Sequence, residues 1–225
     1  MTDWKERAAL AIERHDDGAA RLPGDPDERQ RQLTRMGNAA WAAGLSLLMA
    51  GRDEEGRVWL VRAAERYRES WPNAPAGSWG RPIGAMKSRL IAGDREGALE
   101  DARWALEAGA ADAESPIGLY AAALACLVQG EDETAGTLVA TLGKRDDFPQ
   151  AVTGSLVALS ASDASRYEAA ISELLEDFAG REDFLEDVPV ADTVLALQAL
   201  GERRGLAVAL ESPLLPPTTR GQASA

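Results

Sequence analysis

The chain has 225 residues, 45% of them hydrophobic, with 37 acidic and 24 basic side chains and a net charge of −13. That length and apolar content suffice for one well-cored domain. Residues 91–225 carry 24 acidic and 9 basic groups, a net of −15, so this part of the chain would repel a phosphate backbone and nucleic-acid binding is not expected.

The longest apolar run, Ala39–Ala50, has 12 residues, well short of the ~20 that cross a bilayer. The opening MTDWKERAAL is charged and amphipathic, unlike a signal peptide. Cys126 is the only cysteine and has no partner for an internal disulfide. A cytoplasmic protein without membrane contact is therefore expected.

In chain order, Thr2 or Asp3 caps a first helix running to about Arg14, with Trp4, Ala8, Ala11 and Ile12 on one side. Asp16-Asp17-Gly18 and Leu22-Pro23-Gly24 then break the pattern. Asp25-Pro26 is a cap followed by proline at the first helical position. It opens a long helix to about Ala50, with Leu33, Met36, Ala40, Leu47 and Leu48 inward. Gly37 and Gly44 in that helix suggest close approach of a neighbour. Residues 53–71 return, with Val58, Val61 and Ala64 at helical spacing. The segment WPNAPAGSWGRP, residues 71–82, holds three prolines and two glycines and is expected to be irregular. Helices follow at 83–92, 94–108, 117–129, 131–142, 148–160, 162–178 and about 189–204. Residues 181–188 form a charged connector. The SPLLPP segment, 212–217, packs back as an ordered tail, giving a single domain over residues 1–217 and a disordered tail over 218–225.

One device recurs. An apolar helix end meets Gly, the cheapest residue at the left-handed position, and an acidic residue then caps the next helix. The aligned turn residues are Gly51, Gly93, Gly130 and Ala161, spaced by 42, 37 and 31. The sequence thus predicts an all-α array of about five antiparallel helical hairpins, each burying its apolar face against its neighbours. An irregular bundle with Gly-terminated helices is the competing arrangement. Over residues 41–175 the pattern resembles the tetratricopeptide repeat, though that repeat's large aromatic positions do not recur in register.

Residues that carry chemistry are sparse. His15 is expected at a helix end, where the dipole favours it. Cys126 lies in the apolar run AAALACLV and reads as a small core residue. Acidic pairs such as Asp146-Asp147 and Glu186-Asp187 lack the helical spacing with His that a di-metal bundle needs. No catalytic, cofactor or metal residues are expected, and no enzyme. The Trp-rich stretch is the exception to this sparseness. Trp41, Trp59, Trp71, Trp79 and Trp104 fall among Arg57, Arg62, Arg66, Arg68, Arg81, Lys87 and Arg89. Trp and Arg dominate binding hot spots, yet indoles also fill wide gaps between helices. On the first reading Trp71, Trp79, Arg81 and Lys87 form a protein-recognition groove. Glu131, Asp132 and Glu133 would then steer a basic partner.

The segments SWGRPIGAMKSRLIAGD (78–94), SPIGLYAAALACLV (115–128) and FLEDVPVADTVLALQAL (184–200), with SPLLP (212–216), resemble the all-helical immunity proteins of bacterial polymorphic toxin systems, of actinobacterial type. The resemblance covers most of residues 71–217 and its motifs are structural. It implies a cytoplasmic antidote that binds a cognate toxin, basic in charge, and blocks it. The expected function is therefore a non-enzymatic protein-binding module, monomeric or weakly dimeric. The alternatives are a general peptide-binding scaffold and a small-molecule or metal-dependent enzyme.

The predicted small-residue face of the helix after Asp94 generates a test. Ala102→Arg would bury an unpaired charge and lose at least ~3 kcal/mol, whereas Glu100→Arg at the surface would change stability by ~0.5 kcal/mol or less. Equal melting temperatures for the two variants would show that the buried face is misplaced.

Overall fold

Five of the ten described α-helices start on a side-chain cap. Asp3, Asp25, Asp94, Ser115 and Asp163 each accept a backbone N–H from the first turn of the helix that follows. A computed structural model describes residues 3–217 and is all-helical, with no strand among the described residues. The ten helices are α1 (Trp4–Ala20), α2 (Pro26–Met49), α3 (Asp53–Glu69), α4 (Gly80–Ala92), α5 (Arg95–Glu107), α6 (Pro116–Gln129), α7 (Asp132–Leu142), α8 (Gln150–Ser160), α9 (Ala164–Ala179) and α10 (Asp192–Glu202). The expected tail at 218–225 lies outside the described residues.

The predicted turns hold with one shift. Gly51, Gly93 and Gly130 adopt φ of 72°, 75° and 79°, the left-handed position that glycine takes at no steric cost. In the fourth turn that position falls on Ser162 (φ 50°), while Ala161 stays right-handed as the helix cap.

Other boundaries move for packing reasons. The first helix does not stop near Arg14 but continues to Ala20. Gly18 lies where α1 meets α2, and a Cβ there would sit 2.5 Å from Gln32 Nε2 and 2.9 Å from Met36 Cγ. His15 is correspondingly not at a solvated helix end. It is 5% exposed, edge-on to Trp59 at 5.1 Å. The helix α4 begins at Gly80, ahead of Pro82, because a helix's first N–H groups have no intrahelical acceptor and a proline there forfeits nothing. Conversely α10 starts at Asp192, after Pro189, and the Ala191 N–H just ahead of it donates to the Leu214 carbonyl at 3.0 Å. In α3 the inward residues are Leu60, Ala63, Ala64 and Tyr67, and Val58 faces solvent. Ala102 is fully buried and Glu100 exposed, as predicted.

The helices pair as four hairpins, α2/α3, α4/α5, α6/α7 and α8/α9, with α1 packed on α2. The first helices adjoin one another, α4 on α6 and α6 on α8, while the second helices α5, α7 and α9 make no comparable contact among themselves. The array therefore curves with its first helices on the inside. After α9 the connector 180–191 returns to the beginning of the chain. There Arg14 pairs with Glu186 at 2.7 Å and Arg7 donates to the Asp187 carbonyl. From that point α10 runs over the inner side, against α4, α8 and α9. Its start is held by the Lys87–Asp192 ion pair at 2.6 Å. Its end is held by Arg204, which reaches the Leu127 carbonyl at 2.7 Å and Asp132 at 2.5 Å. The segment after α10 packs back as expected, burying Leu206, Leu210 and Leu215, and its Val208 carbonyl accepts from Gln198 Nε2 at 2.6 Å.

The α2/α3 hairpin crosses backbone to backbone. A Cβ on Gly44 would lie 2.9 Å from the Gly56 carbonyl oxygen and 2.7 Å from Leu60 Cγ. Gly44→Ala should thus lose about 1–3 kcal/mol by overpacking, outweighing the ~1 kcal/mol that alanine gains in a helix. Gly136→Ala in α7, whose nearest neighbour atom would be 3.6 Å away, should keep that gain. Thermal denaturation of the two variants in opposite directions is the expected result.

Candidate functional site

The Trp-rich segment folds inward. Trp79 and Trp104 are each 8% exposed. Trp71 lies between them, with ring centroids 5.7 Å from Trp79 and 5.4 Å, edge-on, from Trp104. The Arg68 guanidinium covers Trp104 at 5.5 Å and also bonds Asp101 at 3.0 Å. Together these rings tie the α3–α4 connector to α5. Asp101 is buried, and burial pushes its carboxyl above the usual range even though Arg89 and Arg68 both donate to it.

Arg81 and Lys87 are anchored rather than free. Arg81 donates to the Ser70 carbonyl at 3.1 Å and to Gln30 Oε1, and burial draws its pKa down. Lys87 pairs with Asp192 and donates to Thr193 Oγ1 at 2.8 Å. Both nonetheless line one cleft of about 450 Å³, together with Trp41, Asn38, Tyr67 and Asp192. Tyr67 gives this cleft its shape. Its ring is gripped between α2 and α4, where a Cβ on Gly37 would meet it at 2.8 Å and one on Gly84 at 2.9 Å. Its hydroxyl donates to Asn38 Oδ1 at 3.0 Å. Burial, with Asp192 and Glu186 nearby, raises the Tyr67 pKa, so the phenol stays neutral. Gly37 was legible as a close-approach glycine, but what approaches it was not.

A second cleft, of about 490 Å³, lies at the other end of α10. Leu48, Leu90 and Leu195 form its apolar floor, and Arg57, Arg95 and Arg203 stand around it with Asp53 and Glu202. Cys126 is buried in α6, and burial, with Glu131 beside it, pushes its thiol up to about 11.

The acidic residues behave differently from the aromatic ones. Residues 131–187 hold 14 acidic and 4 basic side chains. Glu131 and Glu133 are exposed at the start of α7, and Glu168, Glu173 and Glu176 are exposed on α9. Among the described residues none of these five has an ion-pair partner. Asp132 is the exception, held by Arg204. The seven residues singled out from the sequence therefore separate into three places: Trp71 and Trp79 at the α3–α4 connector, Arg81 and Lys87 in the Tyr67 cleft, and Glu131, Asp132 and Glu133 on α7. Among the described residues no three His, Cys, Asp or Glu side chains gather as a metal site would require. No helix among the described residues is long and apolar enough to cross a membrane.

Comparison with protein-family models, with characterised proteins and with solved structures returned no match.

The Lys87–Asp192 pair is largely buried, its side chains 13% and 14% exposed. Lys87→Met would leave the carboxylate without its cation and cost about 1–3 kcal/mol. Adding Asp192→Asn should recover a good part of that loss, and denaturant melts of the two single variants and the double variant measure the coupling.

Proposed function

We propose that this chain is a non-catalytic protein-binding module that receives a basic partner on the outer side of α7 and α9. The observation that carries this reading is the set of exposed carboxylates without ion-pair partners on those two helices. Like charges left uncompensated on one surface repel each other and lower stability. An opposing cationic surface would relieve that repulsion and would be drawn in by it. Both helices are second members of their hairpins and carry these carboxylates exposed, so a partner reaches them without displacing any part of the fold.

The finer reading is an immunity-type inhibitor that blocks a cognate basic toxin. It rests on the resemblance of residues 71–217 to such proteins and agrees with the acidic outer surface. The general peptide scaffold draws less support, because α10 lies along the inner helices where an extended peptide would be received.

The test is kinetic. With a basic partner recovered by pull-down, reversing Glu131, Glu133, Glu168 and Glu173 to Lys should slow association at least ~10-fold at low salt and flatten its salt dependence. Dissociation should change little, since charges farther apart than roughly 8–10 Å are screened near physiological ionic strength. Association indifferent to both salt and charge reversal would reduce the acidic surface to a solubilising one. Protection of cells against a toxic protein by co-expression of this chain would test the inhibitor reading separately.

A further inference from the structure

Most arginines described in this protein are committed to a carboxylate, a carbonyl or a ring, as Arg14, Arg89 and Arg204 illustrate. Arg57, Arg95 and Arg203 are not, and all three line the cleft beside the end of α10. They come from α3, α5 and the cap of α10, so only the tertiary fold assembles them. In a chain of net charge −13, surface arginines have many carboxylates available. Gathering three within one cleft, unbonded, sets like charges against each other. Arg203 registers this: burial lowers its pKa, and Arg95 and Arg204 lower it further. Two carboxylates share the cleft, Glu202 and Asp53, yet neither lies within ion-pair distance of the three guanidinium groups. Asp53 Oδ1 is buried with no hydrogen-bond donor. Beneath the charged rim the floor is apolar, with Leu48 and Leu195 each 7% exposed and Leu90 1%.

We propose that this cleft is a binding site for a small organic anion, whose phosphate or carboxylate is received by Arg57, Arg95 and Arg203 while its apolar body lies on Leu48, Leu90 and Leu195. Guanidinium forks match both oxyanions, and an anion among three of them removes their mutual repulsion. The volume suits a ligand of drug or metabolite size.

Isothermal titration calorimetry of the full chain with phenyl phosphate, octanoate and inorganic phosphate tests this at about 0.15 M salt, where weak surface attraction is screened. Binding of phenyl phosphate identifies the head group as a phosphate and binding of octanoate as a carboxylate. Arg57→Gln, Arg95→Gln and Arg203→Gln should each weaken that binding at least 10-fold. Arg103→Gln removes an exposed charge from α5 outside the cleft and should bind as the wild type does. No binding of either organic anion would overturn the site, and so would an equal loss in Arg103→Gln. Inorganic phosphate binding as tightly as phenyl phosphate would overturn the role given to the apolar floor. None of these outcomes depends on the acidic outer helices, so the site and the protein-binding reading stand or fall separately.

Discussion

The structure depends on the docking of α10 against the inner side of the helical array. The apolar side chains of the first helices and of α10 share one continuous core. Met86 and Leu90 of α4, Leu124 and Leu127 of α6, and Leu156 and Leu159 of α8 are all at most 1% exposed. On α10, Val194, Leu197 and Leu200 are fully buried too. Left uncovered, the faces of α4, α8 and α9 that α10 contacts would form an exposed apolar patch of the kind soluble monomers avoid. Covering it with the chain's own last helix removes it from water, at about 25 cal/mol for each Å² of apolar surface buried.

Apolar burial alone does not choose where α10 sits along the array, because it is non-directional. The polar contacts at its two ends supply the register. Asp192 meets Lys87 at the start, and Arg204, just beyond the end, takes the Leu127 carbonyl and Asp132. Tyr167 adds a third fixed point, its hydroxyl donating to Gln198 Oε1 at 3.0 Å where Gly201 leaves room for the ring. Buried polar contacts of this sort often specify an arrangement more than they stabilise it.

The same docking decides which surfaces remain for other molecules. With the inner side filled, the surfaces that remain include the two clefts flanking α10 and the outer helices α7 and α9. The clefts differ in character. One is lined by Trp41 and Tyr67, with its cations Arg81 and Lys87 already bonded; the other collects three arginines that make no ion pair among the described residues. The outer helices carry the carboxylates. Charge is thus segregated across the molecule, and the two kinds of surface suit ligands of opposite sign.

Local chemistry determined the elements. Asp94 and Ser115 cap helices because their side-chain oxygens reach the first-turn N–H groups, and Gly93 and Gly130 end them because left-handed backbone costs glycine nothing. Both effects act over a few residues, so the all-helical class, most hairpins and the inward return of residues 212–217 were legible in the sequence. Where a boundary depended on a distant neighbour the sequence misled: Gly18 reads as a breaker until Met36 is seen against it, and Val58 fits an inward stripe that the array leaves exposed. The sites were less legible still. A Trp- and Arg-rich connector has one composition whether its indoles face a partner or Trp104, and only the packing turned them inward. Arg81 and Lys87 could be picked out as cations, but their partners Gln30 and Thr193 lie 51 and 106 residues away along the chain. Caps and turns are decided by neighbours in sequence, whereas clefts and ion pairs are decided by which helices meet.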